Sequence, residues 1–148
     1  MPEFSQADMR NTEAACYALC ADYAEFVDSQ DWDRLSEVFA DDAKFTKPIP
    51  PFEAIEGADK IVAWFKTFPK NRLTNHIISN FRVHMETNDT AVGSCRVLLY
   101  TSDVSQPETP DGRQADPVQR MGTYRDRYVR TTKGWRFAER VASVGFHT

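Results

Sequence analysis

Asn75-His76-Ile77-Ile78-Ser79-Asn80-Phe81-Arg82-Val83-His84-Met85-Glu86 is the stretch whose reading decides the fold. Before it, apolar residues recur every three or four positions, the helical period; from it onward they alternate, the period of a half-buried strand. Period-two alternation puts His76, Ile78, Asn80, Arg82, His84 and Glu86 on one face and Ile77, Ser79, Phe81, Val83 and Met85 on the other. The second set reads as core, which leaves His76 on a polar face. A pocket opening beside residue 76, or a bulge near Ser79 that shifts the phase, would return His76 to the interior.

Upstream, residues 11–28 form an amphipathic helix through Ala15, Cys16, Leu19, Cys20, Tyr23, Phe26 and Val27. After the Ser29-Gln30 break, Asp31 is a suitable N-cap for a second helix carrying Trp32, Leu35, Val38 and Phe39 inward. Residues 43–47 read as a short strand, and Pro48, Pro50 and Pro51 then enforce extended or turn structure. A third helix over residues 57–68 buries Ile61, Trp64, Phe65 and Phe68. Downstream, strands are expected at 90–101, 121–131 and 135–144, with turns at Asn88-Asp89 and Lys133-Gly134. Helices followed by a meander of long strands argue for an α+β fold with helices packed on one face of an antiparallel sheet. Residues 103–119 hold Pro107, Pro110, Gly112 and Pro117 and few apolar side chains. A loop of this length is a candidate lid or a plain surface excursion.

The chain has 148 residues, the size of one domain, and no repeat or linker divides it, so residues 1–148 are read as a single domain. Ten Phe, three Trp and five Tyr supply its core. Net charge is −4 with acidic and basic residues interspersed, which argues against a nucleic-acid partner. No apolar run reaches the roughly 20 residues of a membrane span. The opening Met1-Pro2-Glu3-Phe4-Ser5-Gln6 lacks a signal-peptide pattern, and three cysteines (Cys16, Cys20, Cys95) suit reduced thiols; together these read as cytoplasmic. No further ligand stands near Cys16 and Cys20, so the cysteines are expected to be small core residues, with no metal.

Among the three histidines, His76, His84 and His147, His76 is the candidate general base. Histidine is the side chain whose ordinary titration falls near neutral pH, and a carboxylate that orients it makes it a usable base. Asp28 ends the first helix, where a negative charge opposes the helix dipole, so it needs a partner or serves a function. Tyr23 and Asp28 are five residues apart, about 140° around a helix, and face one cavity only if the helix ends or distorts near Asp28. Arg140 and Arg96 each fit either a site or a solvated strand face.

Tyr23-x4-Asp28-x2-Asp31-Trp32-Asp33-x-Leu35-x3-Phe39-x-Asp41-Asp42-Ala43, His76-x3-Asn80, Gly122-x-Tyr124-x-Asp126-x-Tyr128 and Gly134-Trp135-Arg136-Phe137, in this order, resemble SnoaL-like proteins of the NTF2-like superfamily. The resemblance covers nearly the whole chain and extends to the branch of scytalone dehydratase, hexachlorocyclohexane dehydrochlorinase and bile-acid 7α-dehydratase. It implies a cone: a strongly curved, antiparallel-rich sheet wrapped around N-terminal helices, with a deep pocket. It further implies that His76 takes a proton from the substrate, that Asp28 orients it, and that Tyr23 and Arg140 are polar helpers near the leaving group. The chain departs from scytalone dehydratase at two places. Arg96 and Leu98 stand where a second histidine is expected, and Phe45, Thr46 and Lys47 where a tyrosine is.

The resulting expectation is a cofactor-independent lyase, in which water, halide or a small aldehyde leaves a hydrophobic cyclic or aromatic small molecule. Trp32, Phe39, Phe45, Trp64 and Phe65 are expected to bind that substrate, with Asn80 and Arg96. The alternatives are an isomerase or cyclase in the same pocket, and a non-catalytic ligand-binding module. The last requires Asp28 and His76 to stand well beyond the ~3.2 Å of a hydrogen bond. On family grounds a homo-oligomer, trimer or dimer, is also expected.

Overall fold

The computed structural model describes residues 3–148; Met1 and Pro2, with that part of the N-terminal reading, lie outside the described residues. Helix α1 (Gln6–Ser29) opens on Ser5, whose hydroxyl accepts from the Asp8 N–H, and closes on Gln30 in the left-handed conformation (φ 56°). Asp31 caps α2 (Trp32–Glu37) by accepting from the Arg34 N–H. This helix is one turn shorter at its end than its apolar pattern suggests. Phe39 starts strand β1 (Phe39–Thr46) instead, because its ring packs between Tyr23 and Phe137 in the sheet core. Strand β2 (Ala54–Glu56) and helix α3 (Ala58–Phe65) follow; the expected last turn of α3 is present only as i→i+3 bonds to Thr67 and Phe68.

Four long strands complete the chain: β3 (Arg72–Met85), β4 (Thr90–Asp103), β5 (Arg120–Thr131) and β6 (Gly134–His147). They form one six-stranded sheet of order β2-β1-β6-β5-β4-β3. All pairings are antiparallel except β1 with β6, which is parallel. The architecture is α+β, with the helices packed into the concave side of a curved sheet.

The register shifts at four places in the sheet, two of which flank the hollow. On β3 the register runs Ser79↔Arg96 and then Arg82↔Ser94, so β3 spends one residue more than β4. Asn80 takes the left-handed backbone (φ 52°) at this bulge, a conformation asparagine tolerates better than most residues. The extra residue flips the phase of the strand. Thr74, His76 and Ile78 point inward before it, and Phe81, Val83 and Met85 after it. A second bulge lies on β6, where the register runs Met121↔Phe146 and then Gly122↔Val144 and leaves Gly145 as the extra residue. A Cβ at Gly122 would collide with the Ser143 carbonyl oxygen, so only glycine permits this approach of β5 to β6.

Residues 103–119 are tied to the sheet rather than laid over its hollow. The Asp116 N–H donates to the Thr101 carbonyl (2.8 Å), the Thr101 hydroxyl to the Asp116 carboxylate (2.5 Å) and the Ser102 hydroxyl to the Gln114 carbonyl (2.6 Å). No helix among the described residues is long and apolar enough to cross a membrane.

Candidate active site

Sheet and helices enclose a cavity of about 610 Å³. Its floor is read directly from strand alternation: Thr74 and His76 on β3, Val97, Leu99 and Thr101 on β4, Gly122 and Tyr124 on β5, Ala142 and Val144 on β6. The walls are Tyr23 and Val27 from α1, Trp32 from α2, and Trp64, Phe65 and Phe68 around α3. Pro48, Ile49 and Pro50, from the proline-rich turn after β1, form part of the rim; residues 103–119 contribute nothing to the lining.

Asp28 stands behind His76, outside the cavity lining, in a separate hollow that the two share. The Asp28 carboxylate receives three hydrogen bonds: from His76 Nδ1 (2.5 Å), from the His76 backbone N–H (2.8 Å) and from the Thr74 hydroxyl (2.8 Å). These partners compensate a charge placed against the dipole of α1. The side chains are 10% (His76) and 21% (Asp28) exposed, so the pair is shielded but reachable. With Nδ1 committed as donor to a carboxylate, Nε2 is the nitrogen left with a lone pair. The gap beyond 3.2 Å that a binding module called for is not found. Thr74, two residues before His76 on the same face, was not foreseen; the period-two rule would have named it.

Tyr23 lines the cavity and is buried, at the centre of edge-on contacts with Phe39, Phe65, Tyr124 and Phe137. Burial pushes its phenol up to about 12, against the opposing pull of Arg140, so the hydroxyl stays a donor. Tyr124 is raised well above its ordinary range, again chiefly by burial. Trp32, Phe45, Trp64 and Phe65 line the cavity as the sequence suggests.

Five expected site residues do not line it, and the first of them, Asp28, reaches it only through His76. Phe39 belongs to the core behind Tyr23. Asn80 is the exposed bulge residue of β3, serving backbone geometry. Arg96 alternates to the outer face of β4, where it donates to the Thr123 hydroxyl (3.1 Å). Arg140 is fully buried one step below the cavity floor. Its guanidinium pairs twice with Asp126 (Nε–Oδ1 2.8 Å, Nη2–Oδ2 2.9 Å) and donates to Cys20 Sγ (3.2 Å). The Tyr124 ring lies 3.9 Å and the Tyr23 ring 4.4 Å from its Cζ, closing it off from the cavity. Arg140 is thus the pedestal on which both tyrosines rest.

Cys20, Cys95 and Asp126 bring ligand-type atoms within 4.8 Å of one another. There the arginine already supplies the positive charge. Cys95, hydrogen-bonded to Cys20 and buried, is held well above the ordinary thiol range; Cys20 is lowered by that bond, against burial. Burial, aided by Cys20 and Asp126, pushes Cys16 up to about 12. All three cysteines are buried and unbridged.

A family model described as a SnoaL-like domain matches residues 8–141. No curated protein matches the chain in sequence. Among solved structures, the hexachlorocyclohexane dehydrochlorinase LinA superposes with a TM-score of 0.80 at 24% identity, covering 98% of this chain and 93% of that one. Its type 2 form gives 0.79 at 23% identity, covering 97% and 92%. A protein described as a scytalone dehydratase homologue, from Novosphingobium aromaticivorans, gives 0.77 at 19% identity, covering 97% and 91%. Likeness at such identities speaks to the fold.

Proposed function

Because this chain belongs to the SnoaL-like family of NTF2-like proteins, we propose that it is a lyase using a His-Asp pair on a hydrophobic cyclic or aromatic molecule. The observation that carries the reading is the 2.5 Å contact of Asp28 with His76 Nδ1, beside an aromatic-walled cavity. Nε2 takes a proton from a substrate carbon. The C–H electron pair becomes the new π bond, and the leaving group departs from the neighbouring carbon with its own bonding pair. Asp28 holds the tautomer and stabilises the imidazolium. Tyr23 and Tyr124 donate to the departing oxygen or halide, the task first given to Arg140. Neither metal nor cofactor is required by this scheme. The dehydrochlorinase and dehydratase names among the structural neighbours agree with elimination.

The test is a screen of hydroxylated and halogenated cyclic and aromatic compounds, run in deuterated water and read by mass. Loss of water or hydrogen halide supports the lyase. A product of unchanged mass, or one that gains only deuterium, replaces it with an isomerase or cyclase in the same cavity. Absence of both turnover and deuterium uptake leaves a binding module.

The same reading includes a homo-oligomer. On the outer face the register aligns Ile77, Leu98, Met121 and Phe146 in one row across β3 to β6, and Ile77, Met121 and Phe146 are exposed. Light scattering should give twice or three times the 16.9 kDa chain mass; a strictly monomeric species would refute assembly.

A further inference from the structure

We propose that the mouth of the cavity is an anion subsite, in which Arg72 and Arg120 receive a carboxylate carried by the apolar ligand. This rests on the cavity being the ligand site, as in the reading above, but not on any chemistry at His76. Both arginines line the cavity, and no aspartate or glutamate does, in a chain whose net charge is −4. The charges in its lining are therefore positive, while the Asp28 carboxylate stands behind His76 and is bonded to it.

Their positions follow from the register. His76 opposes Leu99, and Leu99 opposes Arg120, so Arg120 stands on the base's own row, two strands away. That separation is about 10 Å between backbones. Arg72 shares His76's face of β3 four residues earlier, roughly 13 Å along the strand. Both are exposed, at the first residues of their strands.

Neither guanidinium has an ion-pair partner within 4.0 Å or a side-chain hydrogen bond among the described residues. The carboxylates nearest in register are engaged elsewhere. Asp103, opposite Arg72, accepts from Asn71 Nδ2 (2.6 Å) and the Ser105 N–H (2.8 Å). Asp116 accepts from the Thr101 hydroxyl. Two arginines free of partners, over an otherwise apolar hollow, present the donors that carboxylates pair with most strongly. The ligand assigned to this cavity is a ring-bearing apolar body with a carboxylate at its exposed end, its reacting carbon lying inward near His76.

The test is displacement of the fluorescent probe N-phenylnaphthylamine by naphthylacetate and by its uncharged isostere naphthylacetamide. The native protein should prefer the acid by about tenfold, a preference that falls with added salt. The double variant Arg72→Gln/Arg120→Gln should lose the preference while binding the amide as before. Lys133→Gln, in the turn at the far end of β5, should keep it. A preference under about twofold in the native protein, or one that survives the double variant, overturns the subsite. So does an equal loss in Lys133→Gln. A probe that fails to bind overturns the cavity as ligand site altogether, and the subsite with it.

Discussion

Asp126→Asn is expected to destabilise the fold by about 3–5 kcal/mol, lowering the thermal midpoint by roughly 6–20 °C for a chain of this size. Asp126 and Arg140 are both without solvent exposure, and the two guanidinium bonds to the carboxylate are 2.8 and 2.9 Å. The Tyr128 hydroxyl adds a third bond to the same carboxylate (3.0 Å). Removing the negative charge strands a guanidinium that has no water to turn to, and one of its nitrogens, Nη1, already lacks a partner. Aromatic faces at 3.9, 4.3 and 4.4 Å offset part of that deficit, but they cannot replace a carboxylate. The measurement is a denaturant midpoint beside the thermal one. The double replacement Asp126→Leu/Arg140→Met should recover much of the loss, since a buried pair is worth little more than well-packed apolar groups of its size. An Asp126→Asn protein with an unchanged midpoint would refute the pedestal role.

The fold was legible wherever local period and burial agree. α1 and the four long strands show their periods in the sequence, and their predicted bounds shift only by the few residues that caps decide. What resisted reading depends on contacts distant in sequence. Phe39 looks like the last apolar residue of α2, but Phe137 draws it into a parallel strand pairing nearly a hundred residues away. His76 reads as outward-facing if its strand is regular. The bulge at Asn80 reverses that, and its only local signal is an asparagine in a strand. Arg140 looks like a surface or site arginine because its neutralising partner, Asp126, comes from the adjacent strand and its cover from α1. Arg72 and Arg120 carry no site signal in the sequence because each sits at a strand start, where an arginine usually means solvent. Only the register puts them over the same hollow.

His76→Ala should lower turnover 10²–10⁴-fold on the first compound the protein transforms, which is about 3–5.5 kcal/mol of transition-state stabilisation. Asp28→Asn should fall in the same range for a different reason. An asparagine whose oxygen takes the Oδ2 place can still accept from the His76 backbone N–H, while its amide nitrogen, in the Oδ1 place, can donate to the Thr74 hydroxyl oxygen, so the end of α1 stays docked on β3. Its amide group, however, would donate to Nδ1, moving the imidazole proton to Nε2 and removing the lone pair that abstracts the substrate proton. Since Asp28 acts through His76, the two losses should not add: His76→Ala/Asp28→Asn should be about as slow as His76→Ala alone. Substrate affinity, set by the aromatic walls and the mouth, should change little in either single variant, so the loss should fall on kcat rather than KM. Both variants should keep the native thermal midpoint within a few degrees. Near-full activity in both would refute the base, and additive losses would mean that Asp28 acts on the substrate independently of His76.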